Sequence, residues 1–146
     1  MQETEVIRRV ETRFAFLVNK YKYHAIACSL FANFDNWIVV LESVQGGRML
    51  VMQDRGEIIV ALGPHGPSSS ATAVPWFDLG VVLEYLSHGK LMLGEIPGDP
   101  DQQMSWLAVE IHPYMDQICD LFGSANAFAE ARADLDRIGA RREASV

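Results

Sequence analysis

The run from Phe34 to Leu62 limits what this chain can fold into more than any other feature. It holds three apolar stretches, Trp37-Ile38-Val39-Val40-Leu41, Met49-Leu50-Val51-Met52 and Ile58-Ile59-Val60-Ala61-Leu62. The polar residues fall mostly between them. The connections Val44-Gln45-Gly46-Gly47 and Asp54-Arg55-Gly56-Glu57 put glycines where short hairpin loops need positive φ. The run therefore predicts an antiparallel meander. Alternation places Trp37, Val39 and Leu41 on one face and Ile38 and Val40 on the other. Both faces are apolar, whereas a sheet wet on one side alternates more strictly. Helices or a partner chain are expected to cover part of the second face.

The flanking segments supply further elements. Val6, Ile7, Val10, Phe14, Leu17, Val18 and Tyr21 recur at three- and four-residue steps, which predicts one amphipathic helix over 4–21. Residues 24–31 predict a first strand, with Ile26, Cys28 and Leu30 on one face and Ala25, Ala27 and Phe31 on the other. Gly63 to Ser70 reads as a loop by composition. It lacks the Gly-Lys-Ser/Thr ending of a phosphate loop, so no nucleotide site is expected there. Asp78 reads as an N-cap for a helix over 79–88, with Gly89 as its C′ residue. A helical region follows over 101–140, with a kink or restart at Pro113 and a last helix capped by Ser124. Residues after Ala140 are expected to fray. The fold class is α+β: about four antiparallel strands within 24–62, packed by an N-terminal helix, a middle helix and C-terminal helices. At 146 residues one domain over 1–146 is expected.

Chemistry is sparse. His24, His65, His88 and His112 are scattered, and neither Cys28 nor Cys119 has a CxxC partner, so no metal and no cofactor is expected. The two cysteines read as buried free thiols. No serine sits in a Gly-x-Ser-x-Gly elbow, and Ser68, Ser69 and Ser70 lie in a loop without a neighbouring base. Glu110 and His112 are two apart and do not share a helix face. An enzyme is not expected. Met1 to Glu11 is charged and has no apolar h-region, and no run reaches the roughly 20 residues of a membrane span, so a cytoplasmic location is the default.

The net charge of −7 is unevenly spread. Residues 64–130 carry only Lys90 against nine acids, while residues 1–23 carry five bases against three acids. This argues against binding a nucleic-acid backbone, which needs a basic footprint, and permits a basic protein partner. From this local charge, candidate contacts are Asp78, Glu84, Glu95, Asp99, Asp101, Glu110, Asp116 and Asp120. Trp106 and Tyr114 are candidate aromatic anchors. Reversing Asp99, Asp101 and Asp116 to lysine is expected to weaken such binding and leave stability nearly unchanged.

Three signatures occur in order: Phe14-Ala15-Phe16-Leu17-Val18-Asn19-Lys20-Tyr21, then Asp54-Arg55-Gly56-Glu57-Ile58, then Trp76-Phe77-Asp78-Leu79-Gly80-Val81-Val82-Leu83-Glu84-Tyr85-Leu86. As a set they resemble the immunity-protein-like family of bacterial polymorphic and contact-dependent toxin systems. The resemblance covers roughly residues 14–88 and leaves the C-terminal helices unaccounted for. It implies a non-catalytic α+β domain that binds a toxin and blocks it. The acidic candidates are not part of that resemblance. Two alternatives stand beside it: a structural subunit or homodimer packed through the two-sided sheet, and a small enzyme with a site assembled from distant residues such as His65 and His88.

Overall fold

The structure is a computed structural model that describes residues 1–66 and 75–145. The meander forms as three antiparallel strands, β2 (Trp37–Ser43), β3 (Gly47–Asp54) and β4 (Glu57–Gly63). They pair in continuous register, with Val39 opposite Val51 and Val51 opposite Val60. Arg55 and Gly56 join β3 to β4 with φ of 52° and 81°. Positive φ at both central residues is what a primed two-residue hairpin needs to match strand twist. The Asn36 side chain accepts the Arg55 N–H at 2.8 Å and ties this turn to the start of β2.

β1 (His24–Leu30) adds to one edge and β5 (Phe77–Asp78) to the other, giving the order β1-β2-β3-β4-β5. Among the described residues the sheet thus has five strands, one more than the sequence suggests. β5 is only two residues long, too short to show a period, and pairs with Ala61 and Leu62. Asp78 ends β5 and also caps the next helix, where its carboxylate accepts the Gly80 N–H at 2.9 Å. The predicted facing of β1 is corrected by a bulge. Ala25 pairs with Leu41 and Ala27 with Val40, so Ile26 is the extra residue. One inserted residue reverses the alternation, and Ala25 packs on the core together with Cys28.

Every described α-helix contributes to the inner face. Trp37, Val39 and Leu41 of β2, Met49 and Val51 of β3, and Ile58, Val60 and Leu62 of β4 are buried there in one apolar cluster with helical residues. The outer face carries the row Ile38–Met52–Ile59 and, beside it, Ala27–Val40–Leu50–Ala61. Ile38, Leu50, Met52 and Ile59 are half-buried and lie outside the core cluster. The helical cover expected on this face is not supplied by the described residues. No described helix is long and apolar enough to cross a membrane.

The predicted helix over 4–21 is two helices, α1 (Glu3–Arg13) and α2 (Ala15–Asn19), broken at Phe14 with φ −110° and ψ 40°. The break lets Val6 and Val10 from one piece and Phe14 and Leu17 from the other bury together, followed by Tyr21 and Tyr23. α3 (Leu79–Leu86) follows β5 and stops two residues short of the expected 88; His88 and Gly89, just beyond it, both have positive φ. α4 (Pro100–Ile111) starts in a capping box, with Asp99 and Gln102 exchanging two bonds of 2.9 Å. Pro113 sits in a 3-10 turn, His112–Tyr114, that restarts the chain into α5 (Met115–Phe122). Ser124 accepts the Ala127 N–H and opens α6 (Ala125–Ala144).

α6 does not fray after Ala140. Its last turn is held by Arg141 and Arg142, which both reach Glu84 on α3. A second polar tie joins α4 to the sheet. The buried Gln103 side chain accepts the Ile58 N–H at 2.8 Å and donates to the Gly56 and Gly98 carbonyls, each at 2.9 Å. The predicted loop over 63–70 begins later than expected, because Gly63 ends β4; Pro67, Ser68, Ser69 and Ser70 lie outside the described residues.

Two tyrosines fasten the N-terminal segment. Tyr21 donates to Asp116 at 2.7 Å, and that bond, with burial second, pushes its phenol up to about 12. Tyr23 donates to the Gly46 carbonyl at 3.0 Å, and burial first of all pushes its pKa up as well. Unfolded tyrosine titrates near about 10. The folded protein therefore holds these protons more tightly. The contribution is complete below about pH 10 and is lost as pH rises through about 12. The urea midpoint is expected to fall over that interval, and Tyr21→Phe should flatten part of the fall. A midpoint that stays level to pH 12 would contradict both assignments.

Candidate functional site

α3, α5 and α6 meet around a groove of about 570 Å³. Its less exposed lining is apolar: Tyr85 and Leu86 from α3, Leu121 from α5 and Ala127 from α6. Its outer lining is acidic: Asp120 from α5, with Glu130 and Asp134 from α6. Gln117 and His88 complete it; among the described residues no lysine or arginine lines the groove, though Arg137 and Arg141 line the adjoining cavity that shares Tyr85, His88 and Asp134. Asp120 and Glu130 are exposed. Asp134 is half-buried and meets Arg137, one turn along α6, at 2.9 Å.

The helices carry these acids at a local cost. Asp116 and Asp120 stand four apart on α5, and Glu130 and Asp134 stand four apart on α6. Like charges at that spacing destabilise a helix by about 0.2–0.5 kcal/mol per pair. The Tyr21 phenol offsets this at Asp116. Neighbouring carboxylates also act on Cys119. Its thiol is pushed up to about 11, by burial first and then by Asp116 and Asp120. Cys28 and Cys119 are free, as expected, but half-buried rather than fully enclosed.

The ten candidate contacts do not form one constellation. Asp78 and Asp99 cap α3 and α4. Asp101 faces Arg9 at 3.0 Å and Arg13 at 3.6 Å. Asp116 receives the Tyr21 phenol. Trp106 and Tyr114 are half-buried and pack against the core. Glu110 on α4 is half-buried, and Glu95 is exposed in the irregular segment before it. Asp120 alone lines the groove. Glu84 needs correction as a surface contact: its side chain is 4 % exposed and is enclosed by Arg141 and Arg142. The triple reversal of Asp99, Asp101 and Asp116 is likewise not neutral. It removes a helix cap, a two-arginine pairing and the acceptor of a buried phenol.

Glu130, Asp134, Gln117 and Ala127 are groove residues that the sequence does not single out, and Tyr85 enters there only as part of the third signature. For Glu130, Asp134 and Tyr85 the signal was present as the like-charge pair on α6 and as an aromatic at the end of the α3 stripe. His65 and His88 lie apart. His65 sits 3.8 Å from Glu42, whose carboxylate Arg48 holds at 2.7 Å, while His88 lines the groove. Among the described residues, no three His, Cys, Asp or Glu side chains are grouped as a metal site requires.

Neither a known family model, nor a curated protein, nor a solved structure matches this chain.

Proposed function

We propose that this chain is a non-catalytic protein-binding module of the toxin-neutralising, immunity type, and that it takes a basic partner at the groove between α3, α5 and α6. The observation that carries the proposal is the lining of that groove. An apolar base offers desolvated contact, and the exposed carboxylates of Asp120 and Glu130 offer charge above it, while Asp134 already faces Arg137. A lysine or arginine side chain suits both parts, because its aliphatic stem covers apolar surface while its head meets acid. Inhibition would be steric and electrostatic. A toxin cleft that binds an anionic substrate is basic, and an acidic surface seated over it competes for the same field.

The test is direct. The protein, tagged at its N-terminus, is expressed with the product of the neighbouring gene in the native host, and growth and co-purification are followed. The proposal expects a complex that survives purification, and growth that depends on this chain when the neighbour is expressed. A neighbour that is harmless alone and does not co-purify would contradict it.

A further inference from the structure

The two edges of the sheet differ. β5 is two residues long and continues at once into α3. β1 is seven residues long, and no described strand pairs with its far side. Natural edge strands are blunted by lysine, proline or a bulge. β1 has neither lysine nor proline, and its bulge lies at Ile26, near its start. From Ala27 onward the register with β2 is regular up to Leu30, and the Phe31 N–H continues it with a 2.9 Å bond to the Asn36 carbonyl.

That last bond sets the direction of the backbone groups. In an antiparallel ladder, successive residues turn their N–H and C=O to alternate sides. Phe31 points toward β2, so Ser29 and Ala27 do as well. Cys28 and Leu30 then present their N–H and C=O to the free edge. We propose that this edge pairs antiparallel with the same edge of a second copy, about a two-fold axis through Ser29, joining two sheets into one of ten strands.

The regular window, Ala27 to Phe31, is centred on Ser29. Cys28 of one copy then meets Leu30 of the other in a hydrogen-bonded pair, and the reverse pair forms across the axis, giving four backbone bonds with the bulge outside the contact. Phe31, 50 % exposed, falls opposite the small Ala27 of the other copy, twice over. The window itself carries no charge, and the acids beside it are Glu3, near Cys28, and Asp35, near Leu30 and Phe31. The surface beside it is mixed: Met1, Leu30, Phe31 and Ala32 line one small cavity together with Asp35 and Asn36, and the first three are among the large exposed hydrophobics. The paired window is only roughly 17 Å long, so even with these side chains the contact sits at the small end of interfaces and the dimer is a weak, concentration-dependent one.

Ser29→Cys tests the register. Opposed residues in a non-hydrogen-bonded pair have Cα atoms about 4.5 Å apart, within disulfide reach. Under mild oxidation the variant should become a covalent dimer in high yield, while wild type, whose Cys28 faces Leu30, should not. Leu30→Pro tests the bonds. It removes only an N–H that points outward, so the β1–β2 ladder and the melting temperature should persist. Light scattering across about 1–200 μM should show wild type passing from monomer to dimer, with the midpoint raised at least tenfold by Leu30→Pro. Wild type that stays monomeric throughout, or a dimer indifferent to Leu30→Pro, would overturn the proposal. If Leu30→Pro fails to fold, failure of Ser29→Cys to cross-link at concentrations where wild type is dimeric would overturn it alone.

Discussion

Val39→Asp will abolish cooperative melting or lower it drastically. Val39 is fully enclosed at the centre of β2, between Cys28 on β1 and Val51 on β3. Its side chain packs in the apolar cluster, and its cross-strand neighbours Cys28 and Val51 carry no positive charge. A carboxylate there must either stay charged without a partner or take up a proton to become neutral. Either way the cost is roughly 5 kcal/mol. Whole domains are stable by only about 5–15 kcal/mol, so one substitution removes a large share. Circular dichroism during heating would show it. A soluble variant that melts as wild type does would mean that Val39 is not in the core.

Arg141→Ala combined with Arg142→Ala will destabilise the protein by about 3 kcal/mol. The cost does not come from the arginines themselves, since the Arg141 side chain is 63 % exposed and solvent screens it. It comes from Glu84, which is left enclosed without a counter-charge. For a chain of this size the melting temperature should fall by roughly 10 °C. Adding Glu84→Met to the double variant should recover most of the loss, because the orphaned charge goes with it. If the double variant melts normally, water reaches Glu84 and α6 is held by Phe128, Ala131 and Leu135 alone.

The legible parts of this fold share a physical trait. β2, β3 and β4 are each long enough to show an apolar period, and their turns are marked by glycine. Asp78 and Ser124 announce their helices because capping is a local interaction among near neighbours. The illegible parts depend on contacts between distant residues. The break at Phe14 is set by what α1 and α2 must both bury. The bulge at Ile26 is set by the pairing of β1 with β2. β5 exists only because Phe77 and Asp78 run beside Leu62 and Ala61. Glu84 looked like a surface acid because Arg141 and Arg142 lie more than fifty positions away. The groove was hidden for the same reason: Asp120 and Glu130 converge through the angle between α5 and α6. Counting charge along the chain found the acidic half but could not separate carboxylates that hold the fold together from those that face outward.

The central claim, that the groove between α3, α5 and α6 takes a basic partner, is tested most directly by calorimetric titration of the purified partner into wild type and into Asp120→Lys/Glu130→Lys. Both residues are exposed, so the variant should melt within about 1 kcal/mol of wild type. Affinity should fall about a hundredfold, and wild-type binding should weaken steeply as salt rises from 50 to 300 mM, roughly as expected for close charge pairs at an interface. Equal affinity for wild type and variant, with both folded, would contradict the claim.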